Sequence, residues 1–371
     1  MWSESCRRFM RSRHASVGDG IGLVDLMVGL VIGMAAMLVI LKVAVLFDAR
    51  RRSTTGMADA QLNAASAIML MSRELRMAGQ GLGQPDTLGC DVRHDRQQLG
   101  ALTLAPVQII DGANGTPDRI RVLSSGSAQS VSPARLISDH PDTASTMMVD
   151  STLGMSVGDY LLLHATDVRC ALLRATSIPL GGYRVDHVLP AAGSVPGYPS
   201  GTPVINVGRL HYVEFSIDAN RYLQVARYSA QVDQWQNAAL ASEVVSLQAQ
   251  YGFDTQPGTP AVTKVTRWSS ALLDVDGNGT VGDNGDLRRM IAVRLAIVVR
   301  SVERSDQGCH AVLPQWMAGD DLDGQLKLTD IRLIDLSQTG NHSQDLPDWQ
   351  CFRYRVLQTE IPLRNLLWSE S

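Results

Sequence analysis

From Ile21 to Phe47 the chain reads IGLVDLMVGLVIGMAAMLVILKVAVLF, with Asp25 and Lys42 as its only charges. Coiled as a helix at about 1.5 Å per residue, this stretch spans the roughly 30 Å hydrocarbon core of a bilayer. Ahead of it, MWSESCRRFMRSRHASVGDG carries Arg7, Arg8, Arg11 and Arg13 and lacks the apolar centre of a secretory signal. The positive-inside rule therefore puts residues 1–20 in the cytoplasm and everything beyond about Phe47 outside. The whole 371-residue chain is 45% hydrophobic and 19% charged, which excludes both disorder and a polytopic membrane protein. One membrane segment joined to a globular body fits. A net charge of -4 argues against a chain whose main task is wrapping nucleic acid.

A carboxylate five residues into an apolar helix is costly, and normally marks a functional pairing unless it snorkels to the interface. Asp25 follows Gly20 at the spacing G-I-G-L-V-D-L-M. This resembles the prepilin motif, which implies cleavage between Gly20 and Ile21 by a prepilin peptidase and methylation of the new amino group on Ile21. Asp25 then stands in the place of the family's glutamate, one methylene shorter, and pairs with the amino terminus of a neighbouring subunit in the fibre. Gly29 and Gly33 form a G-x-x-x-G that lets two helices approach closely, although glycine is common in membrane helices generally.

Beyond Phe47, Ala64, Ile68, Met71, Leu75 and Ala78 step by four and three, one face of an amphipathic helix over residues 48–79 that packs on a sheet. Gly79, Gly81, Gly83 and Pro85 end it. Arg50, Arg51 and Arg52 are read as anchors against lipid head groups or partners for acids of neighbouring subunits, in preference to nucleic-acid contacts. Past Gln84 the rhythm turns to short apolar runs between Gly, Pro, Asp and Ser. PVQII, RIRVL, DYLLLH, VRCALLRATSI, HYVEFSI, YLQVARY, EVVSLQAQYGF, MIAVRLAIVV and CFRYRVLQTEIPL are the predicted strands. Long loops are expected at 124–145 and 190–204.

In chain order, VGDYLLLHATDVRCALLRATSI, EVVSLQAQYGFD, MIAVRLAIVVRS and FRYRVLQTEIPLRNLLW resemble the body of the PilW family of type IV pilus minor pilins. The resemblance implies an α+β fold in which a long N-terminal transmembrane and amphipathic helix packs on a sheet-rich head. It divides the chain into a cleaved leader 1–20, a transmembrane helix 21–47, a spine helix 48–79 and an extracytoplasmic head 84–371. The partners implied are other minor pilins, the major pilin, the prepilin peptidase, the inner-membrane assembly platform and inner-membrane lipid. The expected life history is a single-pass inner-membrane protein with a periplasmic head, then a subunit of an extracellular pilus that primes and caps assembly near the tip. Two rivals are kept: a type II secretion pseudopilin, and a tip adhesin or DNA-binding module acting through the loops at 124–145 and 190–204.

Cys6 falls in the leader, which leaves Cys90, Cys170, Cys309 and Cys351 in the body. An even number outside an oxidising membrane suggests two disulfides, and of three connectivities Cys90–Cys170 with Cys309–Cys351 closes the shorter loops. Metal binding by these thiols is disfavoured, because no C-x-x-C or C-x-C occurs.

LLDVDGNGTVGDNGDLRRM is the most chemical stretch of the body. Asp274, Asp276 and Asn278 occupy positions 1, 3 and 5 of a calcium loop, with Gly279 at the turn, Thr280 next and Val281 as the expected apolar anchor. Position 12 is Gly285 where a bidentate glutamate belongs, and Asp283 and Asp286 flank it as substitutes. Structural calcium and a plain Asp/Gly/Asn turn stay open as readings. Arg288 and Arg289 are expected to partner these carboxylates. No cofactor is required, and no H-E-x-x-H or G-x-S-x-G pattern points to an enzyme.

Overall fold

The structure, a computed structural model, describes residues 22–82, 85–112, 116–125, 133–165, 168–179, 181–189, 196–256, 264–304, 309–310 and 349–367. The chain divides into two compact units, residues 1–52 and 53–371. In the first, the described part belongs to helix α1, Leu23–Met77, whose apolar stretch Leu23–Asp48 has a mean hydropathy of 2.7 and no buried residue. Its large side chains, from Leu23 to Phe47, are all exposed.

The second unit is the head. Within it α1 buries Met57, Ala60, Ala64, Ala67, Met71, Leu75 and Ala78. The stripe is the expected one except that Ala67 takes the central place and Ile68 lies at its margin, partly buried. Alanine at 60, 64 and 67 keeps the helix close to the sheet beneath, while Met71 and Leu75 each contribute about 2 kcal/mol by burial. The helix stops at Met77; Gly79 and Gly81 then take positive φ, and the amide of Gly79 donates to the carbonyl of Leu123.

Strands follow in chain order. The first group is β1 Asp91–Arg93, β2 Leu102–Thr103, β3 Val107–Ile110, β4 Arg119–Ser125, β5 Ala134–Arg135, β6 Thr146–Met148, β7 Tyr160–Ala165, β8 Val168–Ser177 and β9 Arg184–His187. Then come β10 Pro203–Gly208, β11 Leu210–Ile217, β12 Leu223–Ser229, β13 Gln234–Ala241, β14 Val244–Phe253, β15 Arg267–Ser269, the short helix α2 Asn284–Leu287, β16 Met290–Arg300, β17 Tyr354–Pro362 and a last turn of helix, α3 Arg364–Leu367. They form three sheets, ordered β2-β1-β8-β7-β10-β5 with β9 and β6 attached to β8, β13-β12-β11-β4-β3, and β15-β14-β16-β17. The α1 stripe shares one core with Val107, Ile120, Val213, Phe215, Leu247, Tyr251, Val293 and Ile297, from the second and third sheets.

All nine predicted runs are strands. Within the two loop expectations, Ala134–Arg135 and residues 203–204 are not loop but pair with each other across β5 and β10, Pro203 opposite Arg135; residues 126–132 and 190–195 lie outside the described residues. Before Pro203 the chain makes a tight turn over residues 199–202, the amide of Thr202 donating to the carbonyl of Pro199. β13 escaped the sequence reading: QWQNAALA carries little apolar alternation because it is an edge strand with most of its side chains in solvent.

Candidate functional site

The expected assembly surface lies on α1. Gly20 and Ile21 lie outside the described residues. Asp25 sits in the first turn of α1, and its Oδ2 accepts from the amide of Gly22 at 3.3 Å, so the carboxylate turns back towards the amino end of the helix. Carboxylates are favoured there by the free N–H groups and the helix dipole. A Cβ on Gly29 or Gly33 would meet nothing within 4 Å, so the G-x-x-x-G face is open.

The cysteines form two bridges, Cys90–Cys170 and Cys309–Cys351. The first stands where β1 runs parallel to β8, Val92 opposite Cys170. His164 lies against the sulfur of Cys170 at 3.4 Å, but both thiols of that cluster are spent in the disulfide, so it offers no thiolate pair to a metal.

The acidic loop lies between β15 and α2. Oxygens of Asp274, Asp276 and Asp286 lie within 4.8 Å of one another. Asp286 is fully buried and closes the loop, accepting from the amides of Val275 at 2.5 Å, Asp276 at 3.3 Å and Gly282 at 2.8 Å. Asp274 holds the turn from the other side, accepting from Gly277 at 2.7 Å and Gly279 at 2.9 Å. Asp283 is the N-cap of α2, accepting from the amide of Asp286 at 3.2 Å, and its other oxygen takes the Asn278 amide. Asn278 Oδ1 is held by the amide of Thr280 at 2.7 Å. Of the six expected ligands, then, Asp274, Asp276 and Asp286 face one another, while Asp283, Asn278 and Thr280 tie the loop together.

Two details correct the sequence reading. Val281 is 58% exposed and anchors nothing; Leu272, Leu273 and Val275 pack on the core in its stead. Arg289 donates to the carbonyl of Gln256 at 2.8 Å and makes no pair with the loop carboxylates. Position 12 also acquires a reason. A Cβ on Gly285 would stand 1.9 Å from Oδ2 of Asp276, so glycine there leaves the Asp276 carboxylate in place where a longer residue would displace it, and the closing carboxylate sits one place on, at Asp286.

The donor set is all hard oxygen, which suits calcium. Three carboxylates at this spacing repel one another by about 3 kcal/mol per pair at an effective dielectric of 20, a cost that a divalent cation removes.

A family model described as PilW, type IV pilus-assembly protein W, matches residues 211–365, from β11 to the last helical turn. A search of curated proteins finds no match.

Proposed function

We propose, for a chain whose residues 211–365 match the PilW family model, that the protein is a minor pilin that primes type IV pilus assembly and stays at or near the tip of the fibre. The family match carries a role in pilus assembly. The finer reading rests on α1, where every described side chain from Leu23 to Asp48 is exposed. A surface so apolar requires lipid before assembly and the helices of other pilins afterwards.

In this reading the leader is removed after Gly20, Ile21 is methylated, and the head lies in the periplasm until the subunit enters an extracellular pilus. Asp25 neutralises the amino terminus of a neighbouring subunit in the low-dielectric bundle, and Gly29 and Gly33 give the close helix approach. Motility and adhesion then depend on the protein through the pili it initiates. Calcium acts as a structural ion held by Asp274, Asp276 and Asp286, stiffening the link between β15 and β16.

Intact mass spectrometry of the protein from native membranes, with and without the prepilin peptidase, tests the first step. Loss of residues 1–20 with one added methyl group, only when the peptidase is present, is expected; a chain that keeps Met1 overturns the pilin reading. Immunogold labelling of purified pili tests the second. Label confined to fibre ends is expected, even label along the fibre excludes a tip subunit, and label absent from pili but present on secretion machinery moves the protein to the pseudopilins.

A further inference from the structure

Outside the acidic loop and the membrane helix, the described part of the head carries a groove of about 450 Å³ on the face of the β13-β12-β11-β4-β3 sheet that bears Arg121 and Glu214. Its floor is a single row across four strands: Arg121 of β4 stands opposite Glu214 of β11, Glu214 opposite Ala226 of β12, and Ala226 opposite Asn237 of β13. Ala226 is the smallest member of the row, and the missing side chain there makes the depression. Trp235, two residues along β13 and so on the same face, forms an end wall. Its indole N–H donates to the carbonyl of Gln98 at 3.0 Å, and its ring packs on Tyr212 and Tyr228 with centroids 5.4 and 5.6 Å apart. The wall is therefore held rigid.

The chemistry of the groove narrows its ligand. Among its described lining residues Arg121 and Glu214 alone are charged, and they are paired at 2.6 Å, with Arg119 also 3.8 Å from Glu214. The guanidinium is thus already neutralised, which leaves little for a phosphate or a sialic acid to gain. The Arg121 fork also meets the Tyr212 hydroxyl; its further N–H donors, the carboxylate lone pairs and the Asn237 amide make a donor and acceptor array beside an aromatic wall. An aliphatic peptide side chain would offer that array no partners. A sugar ring answers both halves, with adjacent hydroxyls for the polar row and a face of polarised C–H bonds for the negative face of an indole. The volume is that of a small-ligand site.

We infer that this groove on Arg121, Glu214, Ala226, Trp235 and Asn237 binds a neutral saccharide. The inference does not depend on the pilus reading, and it places ligand binding away from the loops at 124–145 and 190–204.

The full chain, solubilised in a detergent without a sugar headgroup, is titrated with lactose, maltotriose and triacetylchitotriose, following tryptophan fluorescence and heat. Saturable binding of at least one, unchanged by added salt, is expected. Ala226→Leu, which fills the floor, and Asn237→Ala, an exposed edge position, are each expected to weaken it about ten-fold or more, with the thermal midpoint unchanged. The inference is overturned if none of the three sugars saturates by about 10 mM, or if both variants bind as the parent does. Salt-sensitive binding of an oligothymidylate, lost in Ala226→Leu while the sugars fail, also overturns it and assigns the groove to nucleic acid.

Discussion

Nε2 of His140 faces Nε2 of His187 at 2.9 Å inside the head, and each residue is less than 5% exposed. Nδ1 of His187 lies 3.2 Å from the carbonyl of Val188 and so carries the proton there. Its Nε2 is then an acceptor, His140 is the donor, and Nδ1 of His140 is a buried lone pair with no hydrogen-bond partner. Burial pushes His187 down to about 4 and lowers His140 as well, with Asp186 opposing the fall at His187 only weakly. Unfolded histidine takes up a proton near pH 6.5. Between that value and about 4 the unfolded chain therefore binds more protons, and stability falls as the pH falls through the window. Denaturant unfolding at pH 5 is expected to show about 2 kcal/mol less stability than at pH 7 from His187 alone. His187→Gln should flatten that part of the profile; an unchanged slope would mean that the pair does not control it.

Glu74, near the end of α1, lies 2.8 Å from Nε2 of His211 on β11 and 3.6 Å from Arg227 on β12. The hydrogen bond from His211 lowers the Glu74 carboxyl below its ordinary range, against an opposing desolvation. A depressed carboxylate stabilises the fold above its unfolded pKa, and that stabilisation is lost as pH falls through the folded value. Because His211 is partly exposed, solvent screening keeps the contribution to roughly 0.5–1 kcal/mol. Glu74→Gln should lower stability by about that much at pH 6–7 and by much less at pH 3. A double-mutant cycle with Arg227→Ala separates the two partners.

How far these features can be read from the sequence follows from their range along the chain. The membrane helix and the α1 stripe are local patterns, so Leu23–Phe47 and Ala64–Ala78 were visible directly. The long strands were visible too, because apolar runs such as MIAVRLAIVV are buried on both faces in β16. What stayed hidden depends on register. Arg121, Glu214, Ala226 and Asn237 become a row only when four strands pair, and no spacing in the sequence announces it. The histidine pair is hidden for the same reason, since 47 positions separate His140 from His187. In the acidic loop the D-x-D-x-N-G pattern was legible, but Asp286 is the closing carboxylate because the fold turns the amides of Val275, Asp276 and Gly282 onto it, which no spacing shows.

The Cys90–Cys170 bridge closes a separation of 80 residues and ties the segment leading into β1 to the buried strand β8. Cross-linking a loop of this length restricts the unfolded chain, and its removal typically costs 2–5 kcal/mol. Cys170→Ser should lower the thermal midpoint of the head by several degrees. Reductant still breaks Cys309–Cys351 in the variant, so the extra loss that the parent suffers on reduction, compared with the variant, is what assigns the effect to Cys90–Cys170; a parent insensitive to reductant would refute it.

The acidic loop gives opposite expectations with and without metal. Asp276→Asn removes one of three mutually repelling carboxylates while keeping an oxygen for the backbone amide of Asn278, now at 3.0 Å, and gives up the acceptor for the Asn278 side-chain amide, which still has Asp283. Without calcium the variant should be as stable as the parent or more so, because the repulsion is relieved. With calcium at about a hundred times its dissociation constant the parent should gain about 2.7 kcal/mol, and the variant much less, since a charged ligand is gone. Gly285→Ala should lose the gain as well, because its methyl group displaces the Asp276 carboxylate. Thermal melts in calcium, in magnesium and in chelator read all of this. A parent whose midpoint is the same in all three is a hydrogen-bonded turn closed by Asp286 alone.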